Sequence, residues 1–406
     1  MRVCDGFFEA MTRVRDVAPA VSRRALVASF GLGTLAWAGQ GSLKGVVASP
    51  QRPDRRLVVV FLRGGADGLN MVPPVFEDEY FKARPGLSIG RPDDRSASVR
   101  ALDLDGRFGL HPSLAPLLPL YREGKLRVVH AVGSKDHTRS HFEAMAAMEH
   151  GAPREGEGPT GGWLARYLEA TGHPGDSPLR AVALGNVMPE SLRGAAKATQ
   201  MANLGDYRLR EEIAADLRKL YGAGKDLASE AGQQTLAALA ALGSARPSEG
   251  AGYPDTPLGK GLRDAAALLR TDAGVEAITL DHGGVWDTHV AQGREGGWMA
   301  GLMDDLAKSL AAFATDLGPD FDRTRTIVIS EFGRRVAENS GLGTDHGRAT
   351  AMFAMGGGIE GGVVETRWPG LRPEDLEGPG DLRVTTDYRS ILADALPMPV
   401  AGVFPG

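Results

Sequence analysis

Residues 57–62, Leu57-Val58-Val59-Val60-Phe61-Leu62, form an unbroken apolar run rich in β-branched side chains. A strand of that composition has no face to give to water, so helices must cover it on both sides. The run stops at Arg63-Gly64-Gly65-Ala66-Asp67-Gly68, a loop with three glycines. The same pattern returns along the chain. Leu126–Val132, Val182–Leu184, Val275–Leu280, Thr326–Ser330 and Ala349–Met355 read as further strands. Helical stretches lie between them at Ser113–Glu123, Phe142–Glu149 and from about Gly297 to Leu317, the last with Met299, Met303, Leu306, Leu310 and Phe313 on one face. Strands alternating with helices predict an α/β fold with an open, mostly parallel sheet and helices on both faces. Residues from about 190 to 272 are Ala-rich and helical in pattern, and are expected to form a helical insertion. Residues 76–108 look like an irregular surface excursion.

The first 38 residues carry a different signal. Ser22-Arg23-Arg24-Ala25-Leu26-Val27 matches a twin-arginine pattern, and the apolar run that follows, Ala25 to Ala38, is too short to span a bilayer. Ala36-Trp37-Ala38 supplies a cleavage site. The expected organisation is a signal peptide at 1–38, a linker at 39–56 and one large domain at 57–406. The protein is then periplasmic or secreted, with the twin-arginine export machinery as a partner and no stable membrane anchor. Cys4, the only cysteine, falls in the signal, so neither a disulfide nor a thiolate metal site is expected in the mature protein. A formal net charge of -5 leaves no basic footprint for nucleic acid.

Asp67, Ser140, Asp287, His289 and Glu331 each follow the carboxyl end of an expected strand, or open the helix beyond it. Asp345 and His346 lie on the loop that enters the next strand. In parallel α/β sheets ligands bind at the carboxyl edge, so residues distant in sequence should meet on one rim. Carboxylates and imidazoles there suit a divalent metal, namely zinc, manganese or iron. Asp287-x-His289 can place two ligands on one side of an extended segment. Ser140 is a natural N-cap, with Glu143 completing a capping box, yet a hydroxyl at a helix N-terminus beside a metal can also act as a nucleophile. Thr138 is a second candidate nucleophile, and His137 and His141 are candidate ligands or acid–base groups. Arg139, Arg334 and Arg348 could clamp a bound anion or simply pair with rim carboxylates.

Arg-Gly-Gly-Ala-Asp-Gly-Leu-Asn (63–70), Arg-Ser-His-Phe (139–142), Trp-Asp-Thr-His (286–289), Ser-Glu-Phe-Gly-Arg (330–334) and Thr-Asp-His-Gly (344–347) together resemble domain-of-unknown-function family 1501. The resemblance covers residues 57–396. It implies an alkaline-phosphatase-like or sulfatase-like fold, a Ser nucleophile at Ser140 and metal ligands at Asp67, Asp287 and His289. The Asp-His-Gly of that superfamily matches Asp345-His346-Gly347 by sequence. By topology it matches Ser330-Glu331-Phe332-Gly333, which puts Phe332 where a ligand His would stand and leaves one of two metal positions weak or absent.

The function expected is therefore an exported metal-dependent hydrolase of anionic phosphate or sulfate esters, small or polymeric. Its catalytic residues are Ser140, Arg139 and Arg334, and its metal ligands come from Asp67, Asp287, His289, Glu331, Asp345 and His346. The alternative is a non-catalytic metal-binding, ligand-binding or assembly protein of the cell envelope. Export is checked by fractionating cells that carry Arg23→Lys with Arg24→Lys. The precursor should stay in the cytoplasm, and its arrival in the periplasm would refute the twin-arginine assignment.

Overall fold

Strand β1 (Arg56–Leu62) is buried at every position, and its side chains divide between two cores with the period of two that a strand imposes. Val58, Val60 and Leu62 enter one core with the helices Pro257–Leu269 and Trp298–Leu317. Leu57, Val59 and Phe61 enter the other with the helices Trp163–Ala170 and Tyr388–Ala395. The apolar run thus has helices over both faces. The computed structural model describes residues 53–404 apart from 155, 174–175, 208–209, 223, 225 and 284–285. The signal segment and most of the linker lie outside the described residues.

The remaining strands, in chain order, are β2 (Leu102–Asp103), β3 (Gly109–Leu110), β4 (Leu126–Gly133), β5 (Ala181–Leu184) and β6 (Ala198–Met201). They continue with β7 (Ala277–His282), β8 (Thr324–Ile329), β9 (Thr350–Gly356), β10 (Val364–Glu365) and β11 (Thr386–Asp387). Among the described residues, one nine-stranded sheet runs β10-β4-β9-β8-β1-β7-β5-β6, with β11 paired to β4. The fold is α/β with a large mixed, mostly parallel sheet. Strand β9 runs against both neighbours, β4 and β8, while β1 lies parallel to β7 and β8. Residues 330–349 join β8 to β9 along one edge without a crossover helix, so the chain must return antiparallel. Strands β1, β4, β7 and β8 end at the edge where β9 begins.

Three local expectations change. The helix over Ser113–Glu123 is a 3₁₀ segment, Pro112–Leu117, followed by a short α-helix, Leu118–Arg122. Pro116 and Pro119 remove donors that a continuous α-helix needs. The region 190–272 is not purely helical, because it holds β6, which extends the sheet by pairing with β5. Nor does it stand apart from the domain: helix Pro257–Leu269 buries Leu258, Leu262, Ala265, Ala266 and Leu269 in the main core. The excursion at 76–108 closes on a small core of its own, made by Val75, Ile89, Val99 and Ala101. Among the described residues, no helix is long and apolar enough to cross a membrane.

Gly68, the first residue of the short helix after β1, shows how tightly the sheet edge is packed. A Cβ there would stand 2.3 Å from the amide nitrogen of Ala351 and 2.7 Å from the carbonyl carbon of Thr350, both in β9. Gly68→Ala should therefore cost about 1–3 kcal/mol by overpacking against backbone. The measurement is the denaturant midpoint, and an unchanged midpoint would mean that β9 yields freely.

Candidate metal centre

Three connections bring four side chains together at this edge. His141 opens the helix His141–His150 just after β4. Asp287 and His289 follow β7, and His346 lies between β8 and β9. His346 Nε2 sits 3.0 Å from His141 Nε2, 2.9 Å from His289 Nε2 and 3.0 Å from Asp287 Oδ1. His289 Nε2 is also 3.0 Å from Asp287 Oδ1, and His141 Nε2 is 3.4 Å from Asp287 Oδ2. The donor atoms of His141, Asp287 and His346 lie within 4.8 Å of one another, a group that can hold a divalent metal ion.

The hydrogen bonds behind the imidazoles decide what those atoms can do. His346 Nδ1 lies 2.8 Å from the carbonyl oxygen of Arg139, which can only accept, so the proton sits on Nδ1. His141 Nδ1 donates in the same way to Glu331 Oε1 at 2.7 Å. His289 Nδ1 faces Asp345 Oδ1 at 3.4 Å. A ring that gives its one proton to the acceptor behind it turns an Nε2 lone pair toward the other rings and toward a carboxylate. Lone pairs about 3 Å apart repel unless a cation lies among them, and ligating histidines are typically backed through the other ring nitrogen. Bonds of about 2.0–2.1 Å at tetrahedral angles would separate ligand atoms by about 3.3 Å. The His141, Asp287 and His346 atoms stand 3.0–3.4 Å apart, while His289 Nε2 approaches only His346 and Asp287 among them. The set of His141, Asp287 and His346 fits a single divalent ion, with His289 adjoining it.

Electrostatics favour the same state. Burial works to raise the Asp287 carboxyl, but the hydrogen bond and charge of Arg334, with His346 and His289 beside it, hold it down at about 2. Burial lowers the His346 imidazole, which favours its neutral, ligating form. The bond to Glu331 raises His141, so at low pH a proton competes there with a cation. Phe332 closes the floor, its ring 4.8 Å from His141 and 5.1 Å from His346 between centroids. Gly64 lets the β1 loop come close. Its φ is +126°, a Cβ would lie 2.7 Å from Asp287 N, and its own N–H donates to Glu331 Oε1 at 2.8 Å.

The expected residues separate into layers. Asp287 and His346 come together with His141, and His289 lies beside them. Glu331 and Asp345 stand behind His141 and His289 rather than among the converging atoms, because each is taken up by an imidazole Nδ1. Asp67 lies elsewhere. It is fully buried and bound by Arg84 at 2.5 and 3.1 Å and by Gln292 Nε2 at 2.7 Å. Ser140 caps its helix with a long 3.5 Å bond from Glu143 N, and the reciprocal half of the box goes instead to Thr138, whose hydroxyl donates to Glu143. Arg139 pairs with Asp381, and Arg348 pairs with Glu377. Arg334 is buried on the carbonyls of Gly64, Gly65, Trp286 and Thr344 besides Asp287. No arginine clamp is therefore left open by these three side chains. His137 is exposed and takes no part in the cluster.

Two participants were poorly marked in the sequence. His141 was one of two histidines flanking the Ser140 loop, with only its place after β4 to favour it. Gln292 carried no signal at all. Its amide oxygen accepts from Thr288 Oγ1 at 2.9 Å and Thr344 Oγ1 at 2.7 Å, while its nitrogen donates to Asp67. Thr288 lies between Asp287 and His289, and Thr344 precedes Asp345-His346. One buried amide thus ties both ligand loops to the Asp67–Arg84 pair.

Sheet and site together define an α/β protein with a candidate metal centre at the carboxyl edge of its strands. Residues 54–395 match the family model described as "Protein of unknown function (DUF1501)", and the chain belongs to that family. A comparison with curated proteins finds no match.

Gln292→Ala should lower metal affinity about 10–100-fold, the usual cost of losing support behind the ligands. Chelator competition measures it. An affinity equal to wild type would show that the loops keep their places without the tie.

Proposed function

We propose that this chain is an exported metal-dependent hydrolase of phosphate or sulfate esters on an alkaline-phosphatase-like fold, built around one divalent ion. The observation that carries the reading is the convergence of His141 Nε2 and His346 Nε2 with the Asp287 carboxylate, His289 standing beside them and each imidazole backed through Nδ1. Imidazole nitrogens with a carboxylate oxygen suit zinc, manganese or iron. A bound ion would supply Lewis-acid polarisation of an ester oxygen.

The protein's own groups do the rest. Arg334 fixes Asp287 as a carboxylate, and Glu331 and Asp345 orient two of the imidazoles. Ser140 precedes His141 directly, and its oxygen is engaged only by the long bond from Glu143 N among the described contacts. Its hydroxyl is the group we assign as nucleophile. The engagement of Arg139 and Arg334 with protein carboxylates favours a second reading, a non-catalytic metal-binding protein of the cell envelope.

Elemental analysis of protein from the export compartment, paired with two variants, tests the proposal. Wild type should carry about one divalent ion per chain, and His346→Ala should lose it. Ser140→Ala should keep the ion, abolish turnover of aryl phosphates and sulfates, and cost only about 1 kcal/mol of stability through the cap. Metal-free wild type, with a melting curve indifferent to chelator, would refute the centre. Metal-loaded wild type inert toward a broad ester panel would establish the second reading instead.

A further inference from the structure

The loops that leave the carboxyl edge carry large apolar side chains into solvent. Phe142 is 84% exposed and Trp298 68%, and Val187, Val290 and Leu342 are each more than half exposed. They make five of the nine exposed large hydrophobic residues described, and all five stand on segments that leave this one edge. Phe142 follows the ligand His141, and Val290 follows the ligand His289. Leu342 lies on the turn that closes against Val290, since a Cβ on Gly341 would stand 3.0 Å from Val290 Cγ1. Val187 leaves β5, and Trp298 opens the helix that follows the β7 loop.

Leu342 adds a second observation. Its φ is +54°, a left-handed conformation that costs a leucine energy and a glycine almost none. The turn is held by Leu342 N donating to Asn339 O and by Leu342 O accepting from Gln292 N. Its side chain is more than half exposed and lies against the Gly86 turn, so the strain gains nothing for the main core, and strain of this kind gathers at functional sites.

Charge limits what can sit in the middle of this edge. Asp287, Glu331 and Asp345 against Arg334 and Arg335 leave the protein side of the centre one charge negative, and a divalent ion makes it one charge positive. Arg63, Arg139 and Arg348 are each bound to carboxylates, so they offer no further charge to a dianion. A single negative charge on the ligand balances the centre.

We propose that the site takes an amphiphilic monoanion: a singly charged ester group directed at the metal, with an aryl or alkyl body lying on the apolar edge. The inference rests on the metal-centre reading above. It commits to a small soluble amphiphile, because the net charge of -5 and the paired arginines give no attraction to an anionic lipid surface.

The test uses metal-binding hydroxamates of different chain length on the zinc-loaded protein, with calorimetry as the readout. Octanohydroxamate should bind roughly tenfold or more tightly than acetohydroxamate, because its chain is removed from water. Phe142→Ser combined with Trp298→Ser should erase that difference while metal content and acetohydroxamate affinity stay as in wild type. Equal affinities in wild type, or a difference that survives the double variant, would overturn the proposal. If the protein takes up no metal, acetohydroxamate will not bind and the metal reading fails on its own. The apolar edge is then read with 1-anilinonaphthalene-8-sulfonate: saturable fluorescence lost in the double variant supports it, and no enhancement overturns it. Sedimentation of the protein with phosphatidylglycerol vesicles would also overturn it, by making a lipid surface the occupant.

Discussion

The guanidinium of Arg334 holds the site together. It is 1% exposed, and it donates to carbonyls in the β1 loop, the β7 loop and the β8–β9 connection while pairing with Asp287. A buried arginine cannot shed its charge, so every donor must find an acceptor or the fold loses several kcal/mol. Loops of widely separated sequence are therefore pinned to one point. A second anchor runs parallel to it, from Arg84 through Asp67 and Gln292 to Thr288 and Thr344. Between them the anchors fix loops whose own backbone has little regular structure.

What the anchors hold is an arrangement unfavourable on its own. His346 Nε2 stands 2.9 and 3.0 Å from two other imidazole Nε2 atoms, beside an Asp287 carboxylate that Arg334 holds well below the usual range. Proteins keep such repulsion where a ligand relieves it, and the supports behind each ring are what set the direction of the lone pairs. Phe332 matters here as well. Its ring lies against His141 and His346 and closes that side of the cluster with hydrocarbon.

Much of the fold was legible because burial on both faces writes itself into a strand. The runs at 57–62 and 126–132 read as interior strands and are so, whereas Asp287 and His289 meet through two successive i→i+2 turns, Thr288 N on Trp286 O and His289 N on Asp287 O. Elsewhere the local pattern misled. Ala349–Met355 gives no sign of its direction, since strand direction depends on the connection and not on composition. The Ala-rich stretch hid β6, whose four residues reveal themselves only by pairing with β5.

The sequence by itself determined the α/β class, the family and the edge at which polar residues would gather, because each of these follows from periodicity or from motif order. Only the tertiary structure decided which of those residues face one another. Asp67, Glu331 and Asp345 have the same chemistry as Asp287, and nothing in their neighbours along the chain separates a ligand from a support. The difference lies in what each carboxylate meets across the fold: Arg84 and Gln292 for Asp67, an imidazole Nδ1 for Glu331 and Asp345, and converging Nε2 atoms for Asp287. Those partners come from distant strands, so a carboxylate's role is set by three-dimensional neighbours that local sequence does not encode.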